Sequence, residues 1–312
     1  MRPQLRGAPG RAVALAMSIS GALLGCSCSS APSAHGDSPI VAVGAENQYA
    51  NVIAQIGGRY VDATAIMSNP NADPHSFEAS PSVARVVSSA ELIVQNGLGY
   101  DSFMNTIEAA SPDAARKLID VQHLLKLPGV TANPHLWYDP STMPKVAAAI
   151  ARDLSDIDPA HAAYFAGRLL RFKFSLRAWT KAIASFAASH PRTPVATTEP
   201  VADYLLQAAR TDDKTPFDLQ ADIMNGIDPA PQDISLQESL LNRHKVKVFL
   251  YNEQVTDSIT QSFLSLALKD KVPVVAVYET MPSPGYDYQT WMLAEVDALQ
   301  RAVADNVSTE HL

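Results

Sequence analysis

Residues 158–191 read DPAHAAYFAGRLLRFKFSLRAWTKAIASFAASHP, the most regular stretch of the chain. Phe165, Leu169, Phe172, Leu176, Trp179, Ile183 and Phe186 recur at spacings of four and three, which places these apolar side chains along one face of a helix. Asp158-Pro159 supplies an N-cap followed by a proline at the first helical position, and His190-Pro191 supplies a stop. About thirty residues at ~1.5 Å each make a helix on the order of 45 Å long. A stripe this regular also suits a coiled-coil dimer. Three heptads inside a chain of this kind more often pack on their own domains, so a monomer is expected.

On both sides of this helix the pattern changes to short β-branched and aliphatic runs separated by helix-sized segments. Before it, these strand signals fall at residues 40–43, 61–67, 92–94 and 118–121. After it they fall at 194–197, 217–223, 246–251 and 272–278. Strand and helix alternating in this way predict parallel sheets. The expected fold is therefore α/β: two lobes, each a parallel sheet flanked by helices, joined by one long backbone helix. The corresponding boundaries are 39–157 for the N-terminal lobe, 158–190 for the linking helix and 191–312 for the C-terminal lobe.

The first residues read as a targeting signal rather than as part of the fold. Arg2, Arg6 and Arg11 precede an apolar run over 12–24, shorter than the roughly twenty residues of a membrane span. That run ends in Leu23-Leu24-Gly25-Cys26, which resembles a bacterial lipobox. The expectation is a signal peptide over 1–25, cleavage before Cys26, lipid on its thiol, and a flexible Ser-, Ala- and Pro-rich tether over 26–38. The protein would then be extracytoplasmic and anchored to the cell membrane through that lipid. Cys28 is the one other cysteine, so neither a disulfide framework nor a thiolate metal site is available to the folded body. Losing the leader removes three arginines and no acid, moving the formal charge from −8 to −11 and excluding nucleic acid as a natural partner.

Two segments share a design. Asp73-Pro74-His75-Ser76-Phe77-Glu78 runs into Ser80-Pro81, and Asn133-Pro134-His135-Leu136-Trp137-Tyr138 runs into Asp139-Pro140. Proline fixes its own φ and restricts its predecessor, so each histidine is expected on a stiff turn. Ser80 and Asp139 look like helix N-caps with proline at the first helical position. Both histidines should thus stand beyond strand carboxyl ends, the edge where open α/β sheets bind ligands. A lone histidine is usually structural, but a matched pair in similar rigid loops points to metal ligation. His123, in the stretch leading to His135, stays open as a further candidate. In the second lobe Glu199, in Thr197-Thr198-Glu199-Pro200, and Glu279, in Tyr278-Glu279-Thr280-Met281-Pro282, follow strand signals in the same way. Each is equally readable as a solvated loop carboxylate, and Asp287 competes with Glu279.

The order of these features resembles the zinc- and manganese-binding solute-binding lipoproteins of metal-ion ABC transporters. The likeness covers essentially the whole chain after the leader, and Asn133-Pro134-His135-Leu136-Trp137 is its most specific motif. It implies one divalent transition metal ion, zinc or manganese, captured in the cleft between the lobes as the transported ligand and handed to an ABC transporter permease. It also implies His75 and His135 as the paired histidines and Glu199 as the third ligand. The family's fourth ligand is usually aspartate, so Glu279 departs from the pattern, and Asp287 is its rival there. Two imidazoles and two carboxylates suit zinc, manganese or iron, and affinity order alone favours zinc over manganese. The short segment over 121–131, with one histidine, lacks the long His- and acid-rich loop of many zinc members. Other classes considered were a secreted zinc hydrolase, which would need an open coordination position, and a two-lobe receptor for an organic metal chelate. No His-Glu-x-x-His helix is present, and the protein is not expected to be an enzyme.

Overall fold

The computed structural model describes residues 38–69, 77–282 and 284–312. The first lobe runs β1 (Ile40–Glu46), α1 (Asn47–Gly57), β2 (Val61–Met67), α2 (Pro81–Ser88), β3 (Leu92–Gln95), α3 (Ser102–Ala110), β4 (Lys117–Asp120), α4 (Val121–Leu125) and α5 (Thr142–Ile157). Then come α6 (Ala162–Ser175) and α7 (Arg177–Ser189). The second lobe runs β5 (Pro194–Thr197), α8 (Asp203–Ala208), β6 (Asp212–Asp213), α9 (Phe217–Met224), α10 (Pro231–Asn242), β7 (Val248–Asn252), α11 (Ser258–Lys269), β8 (Val274–Val277) and α12 (Tyr288–Asp305).

Each lobe holds one four-stranded sheet, in the order β2-β1-β3-β4 and β6-β5-β7-β8, with every pairing parallel. Parallel strands need helical crossovers, so helices cover the sheets; β3, β7 and β8 are buried along their whole length, while the edge strands β2, β4 and β6 carry Asp62, Lys117, Asp120, Asp212 and Asp213. On the outer side of the first sheet, Val43, Ala45 and Ile93 pack with Val87 of α2 and Met104 and Ile107 of α3. On the outer side of the second, Ala196, Phe249 and Tyr251 pack with Leu219, Leu241 and Phe263 from α9, α10 and α11. The inner faces do not form two separate cores. One cluster runs from Ile40, Val52 and Leu92 through Phe165, Trp179 and Phe186 to Val195, Leu250 and Leu299.

The stripe that predicts the linking helix is buried as expected, but the helix is not a single rod. Asp158 and Pro159 cap a short 3-10 turn over Pro159–His161, the α-helix opens at Ala162, and it breaks at Leu176, where φ is −67° and ψ is −12°. Two hydroxyls accompany the interruption: Ser175 Oγ donates to the Phe172 carbonyl and Thr180 Oγ1 to the Leu176 carbonyl, each shared with a backbone N–H. Side chains that take helix carbonyls in this way bend helices. Two other readings need correction. The run at 217–223 is helix α9, not a strand: Leu219, Gln220, Ile223 and Met224 are buried at spacings of one turn after Pro216. The fourth strand of that sheet is instead the two-residue β6. Ser80 caps α2 as expected, with Val83 N–H 3.4 Å from its Oγ, whereas Asp139 only opens a turn, accepting from Ser141 N–H at 2.7 Å, and α5 starts three residues later.

Candidate metal centre

Both sheets share one topology, so each has a switch point beyond the carboxyl ends of its two central strands, β1 with β3 and β5 with β7. Crossovers leave in opposite directions there and open a crevice. Glu46 ends β1, Asn96 and Tyr100 follow β3, Thr198 and Glu199 follow β5, and Asn252 ends β7. Glu279 comes two residues beyond β8. The two crevices face each other.

His135 is fully buried on the loop ahead of α5 and is held from three sides. Asn133 Nδ2 donates to the Pro200 carbonyl at 2.7 Å, which fixes that amide across the lobe boundary. Asn133 Oδ1 then accepts from His135 N–H at 2.9 Å and from ring Nδ1 at 2.8 Å. Asn96 Nδ2 holds the Pro134 carbonyl at 2.9 Å, and the Tyr100 and Trp137 rings meet the imidazole edge-on. With Nδ1–H committed to Asn133, the lone pair lies on Nε2, the arrangement that metal-binding imidazoles use. That Nε2 is 3.3 Å from Glu279 Oε2.

Glu279 is also fully buried. Its Oε2 accepts from Tyr100 O–H at 2.9 Å, and its Oε1 accepts from Asn252 Nδ2 at 2.7 Å. The same Asn252 nitrogen donates to Glu199 Oε1 at 3.0 Å, so one amide ties together the two second-lobe carboxylates. Gln254 Oε1 accepts from the backbone N–H groups of Glu279 and Thr280 at 2.5 and 2.8 Å, pinning the loop that carries Glu279. Tyr100 reaches the chamber because Gly97, Leu98 and Gly99 all take positive φ, and glycine allows that conformation on either side of Leu98. Burial pushes the Tyr100 hydroxyl well above its ordinary value, with the Glu279 and Glu46 carboxyls adding to the effect, so it stays a donor.

Beneath Tyr100 lies a buried carboxyl pair. Burial raises Glu46 well above the usual range, with Asp101 adding to the shift. Asp101 is pushed up to about 6 by burial, although it accepts from Asn96 N–H at 2.5 Å and Gly97 N–H at 2.9 Å.

His135, Glu199 and Glu279 are therefore brought to one chamber. His75 and Cys26 lie outside the described residues. Asp287 is not in the chamber: it caps α12, with Thr290 N–H 2.9 Å from its Oδ1, and accepts from Gln289 at 2.8 Å. His123 is exposed beside Asp120, 3.4 Å from its Oδ1. Among the described residues, no three histidine or acidic side chains converge closely enough to hold an ion on their own. Asn133 is part of the His135 motif; sequence reasoning missed Asn252, Tyr100, Gln254 and Glu46. None belongs to a local motif, although Asn252 sits one residue past the predicted strand end, at the switch point where a polar residue is informative.

The lobes are stitched around this chamber. Asn47 and Met281 exchange two hydrogen bonds of 2.8 Å, Tyr138 O–H donates to the Tyr278 carbonyl at 2.9 Å, and Tyr288 O–H donates to the Trp137 carbonyl at 2.5 Å.

Comparison with known proteins gives consistent matches. The family model described as zinc-uptake complex component A, periplasmic, matches residues 43–302. The manganese-binding lipoprotein MntA of Bacillus subtilis is 26% identical over 162 residues, which is 50% of this chain and 52% of that protein. The match thus spans about half the length of that curated relative. A crystal structure of ZnuA superposes with a TM-score of 0.68 at 19% identity, covering 85% of this chain and all of that one. The solute-binding protein FpvC of Pseudomonas aeruginosa, solved in complex with Mn2+, gives the same TM-score and identity over 86% of this chain and 99% of its own. At these identities the two structures establish a shared fold.

Proposed function

Because the chain belongs to the family of the periplasmic zinc-uptake complex component A, we propose that it captures one divalent transition metal ion, zinc or manganese, outside the cytoplasm and delivers it to an ABC transporter permease. The ion is cargo, held between the lobes 39–157 and 191–312 by His75, His135, Glu199 and Glu279. The observation that carries this reading is the approach of His135 Nε2 to Glu279 Oε2, 3.3 Å apart and fully buried, although 144 residues separate them in the chain. Burying an imidazole and a carboxylate at such cost is reasonable where a cation completes the set. Asn133 and Asn252 supply the outer hydrogen bonds that orient such ligands. Four protein ligands close the coordination shell, which suits carriage, whereas hydrolysis needs an open position for water. Cys26 is the lipid attachment point, so the protein works at the membrane surface as a monomer.

The test is to strip the purified protein, reload it with zinc and manganese in competition, and measure bound metal by elemental analysis. One equivalent in the parent, lost in both His75→Ala and His135→Ala, is the expected result. Full metal content in the two variants would end the proposal.

A further inference from the structure

Residues 162–189, which form α6 and α7, contain Arg168, Arg171, Lys173, Arg177 and Lys181 and no aspartate or glutamate, in a chain of formal charge −8. Arg171, Lys173, Arg177 and Lys181 are exposed, as is Arg59 beside the start of α6. Among the described residues the ion pairs of lysine and arginine are Lys117–Asp156, Arg152–Asp153 and Lys214–Asp212, and none of these five exposed cations takes part. Two large apolar side chains stand among them, one turn apart on the outer face of α6: Leu170, 70% exposed, and Phe174, 65% exposed. The Arg177 guanidinium lies 4.8 Å from the centre of the Phe174 ring. A neighbouring hollow of about 170 Å³ adds Gln55, Arg168, Arg171 and Gln289, and again no acid.

The position of this face in the fold supplies the second observation. Ile40, where β1 begins, pairs with Val61, and Arg59 and Tyr60 come just before Val61. The Tyr60 ring stacks on His161 at 3.8 Å and meets Tyr164 edge-on at 4.9 Å, while Arg168 Nε donates to the Gln55 carbonyl at 2.6 Å. The chain therefore enters the fold at the edge where α6 begins. The tether over 26–38 extends at most roughly 3.5 Å per residue, on the order of 45 Å in all. A lipid on Cys26 would hold α6 within that distance of the bilayer.

We propose that the exposed face of α6 and α7 is a membrane-docking surface that rests on anionic phospholipid headgroups, with Leu170 and Phe174 entering the interface between them. This rests on the lipid-anchored reading of the chain. Cations flanking exposed Leu and Phe side chains are the composition of interfacial helices, and basic residues near an anionic leaflet add electrostatic attraction to the anchor. None of these residues belongs to the chamber of His135, Glu199 and Glu279.

Residues 34–312 form one compact unit and serve as the anchor-free protein. Co-sedimentation with vesicles of phosphatidylcholine, with and without phosphatidylglycerol, reads the docking directly. Binding to the phosphatidylglycerol vesicles alone, released by salt, is expected, because added salt shortens the screening length from about 10 Å at 0.1 M to 3 Å at 1 M. Each cation near an anionic leaflet is worth about fivefold in binding, so the combined variant R171Q/K173Q/R177Q should bind roughly a hundredfold more weakly. L170S/F174S should weaken binding while leaving salt release in place. All these sites are exposed, so thermal melting and metal content should match the parent. Absence of binding, equal binding to both vesicles, or an unchanged triple variant would overturn the proposal. So would concentration-dependent dimers that Phe174→Ser abolishes, which would assign the face to a second copy of the chain. Membrane fractionation of Cys26→Ser tests the lipid anchor separately, and metal loading tests the cargo reading, so a failure of either is distinguishable from a failure of the vesicle experiment.

Discussion

Asn252→Leu removes a donor that serves both second-lobe carboxylates and changes little else in volume. Asn252, Glu199 and Glu279 are 0, 2 and 0% exposed, so water does not readily replace the lost bonds. The bonds at 3.0 and 2.7 Å are charge-assisted, and each such bond contributes about 1.5–3 kcal/mol. Without the amide, two buried carboxylates lose their common neutral bridge. The carboxylates are then no longer held in the orientation that meets an ion, so affinity falls. Groups that orient metal ligands typically account for about 10–100-fold in affinity, equivalent to ~1.4–2.7 kcal/mol. Competition titration of the stripped protein against a fluorescent chelator, for zinc and for manganese at several pH values, measures this. An Asn252→Leu protein that binds both ions as tightly as the parent would refute the reasoning.

Glu295 gives a pH-dependent prediction of stability. Burial pushes its carboxyl up to about 8 from an ordinary 4.5, only partly offset by donation from Trp291 and Tyr138. The folded protein keeps a proton that the unfolded chain has released, so this contribution is complete below about pH 4.5 and is lost as pH rises through about 8. By linkage the loss reaches at most ~5 kcal/mol, and Glu295→Gln should flatten a urea-melting series between pH 5 and 9 relative to the parent. Trp179 is fully buried on α7 against Tyr288, with ring centres 5.9 Å apart, so Trp179→Ala should cost about 3–5 kcal/mol in denaturant unfolding. Gly44 lies where β1 passes the start of α1, and a Cβ there would stand 2.3 Å from the Ala50 backbone nitrogen. Gly44→Ala should therefore destabilise by about 1–3 kcal/mol or more, and an unchanged melting temperature would mean that the strand and helix can separate at little cost.

The sequence carried much of the fold because the informative signals are local. The apolar stripe from Phe165 to Phe186 reports a buried helix face through its own spacing, and six of the seven side chains are fully or nearly fully buried. What it could not report is the one-residue interruption at Leu176, where Ser175 and Thr180 hydroxyls share the Phe172 and Leu176 carbonyls with the backbone. The run at 217–223 misled for a related reason. A short apolar run suits a buried strand or a buried helix alike, and only the neighbours at Leu241 and Phe263 decide which.

At the site, the stiff Asn133-Pro134-His135 turn and the Glu199 and Glu279 loops were legible, since proline restriction and strand ends are properties of a few consecutive residues. Which of these side chains meet was not. His135 faces Glu279 across 144 residues, Tyr100 reaches the same carboxylate across 179, and Asn252 joins Glu199 to Glu279. Asp287 reads from sequence as a competitor of Glu279, yet it is used to cap α12. Dihedral preference and hydrophobic period set local shape and burial, and these the sequence alone determined. The meeting of distant polar groups follows from strand order and from how two sheets close on each other, and only the tertiary structure decided it, because no single residue's preference encodes the position of a partner more than a hundred residues away.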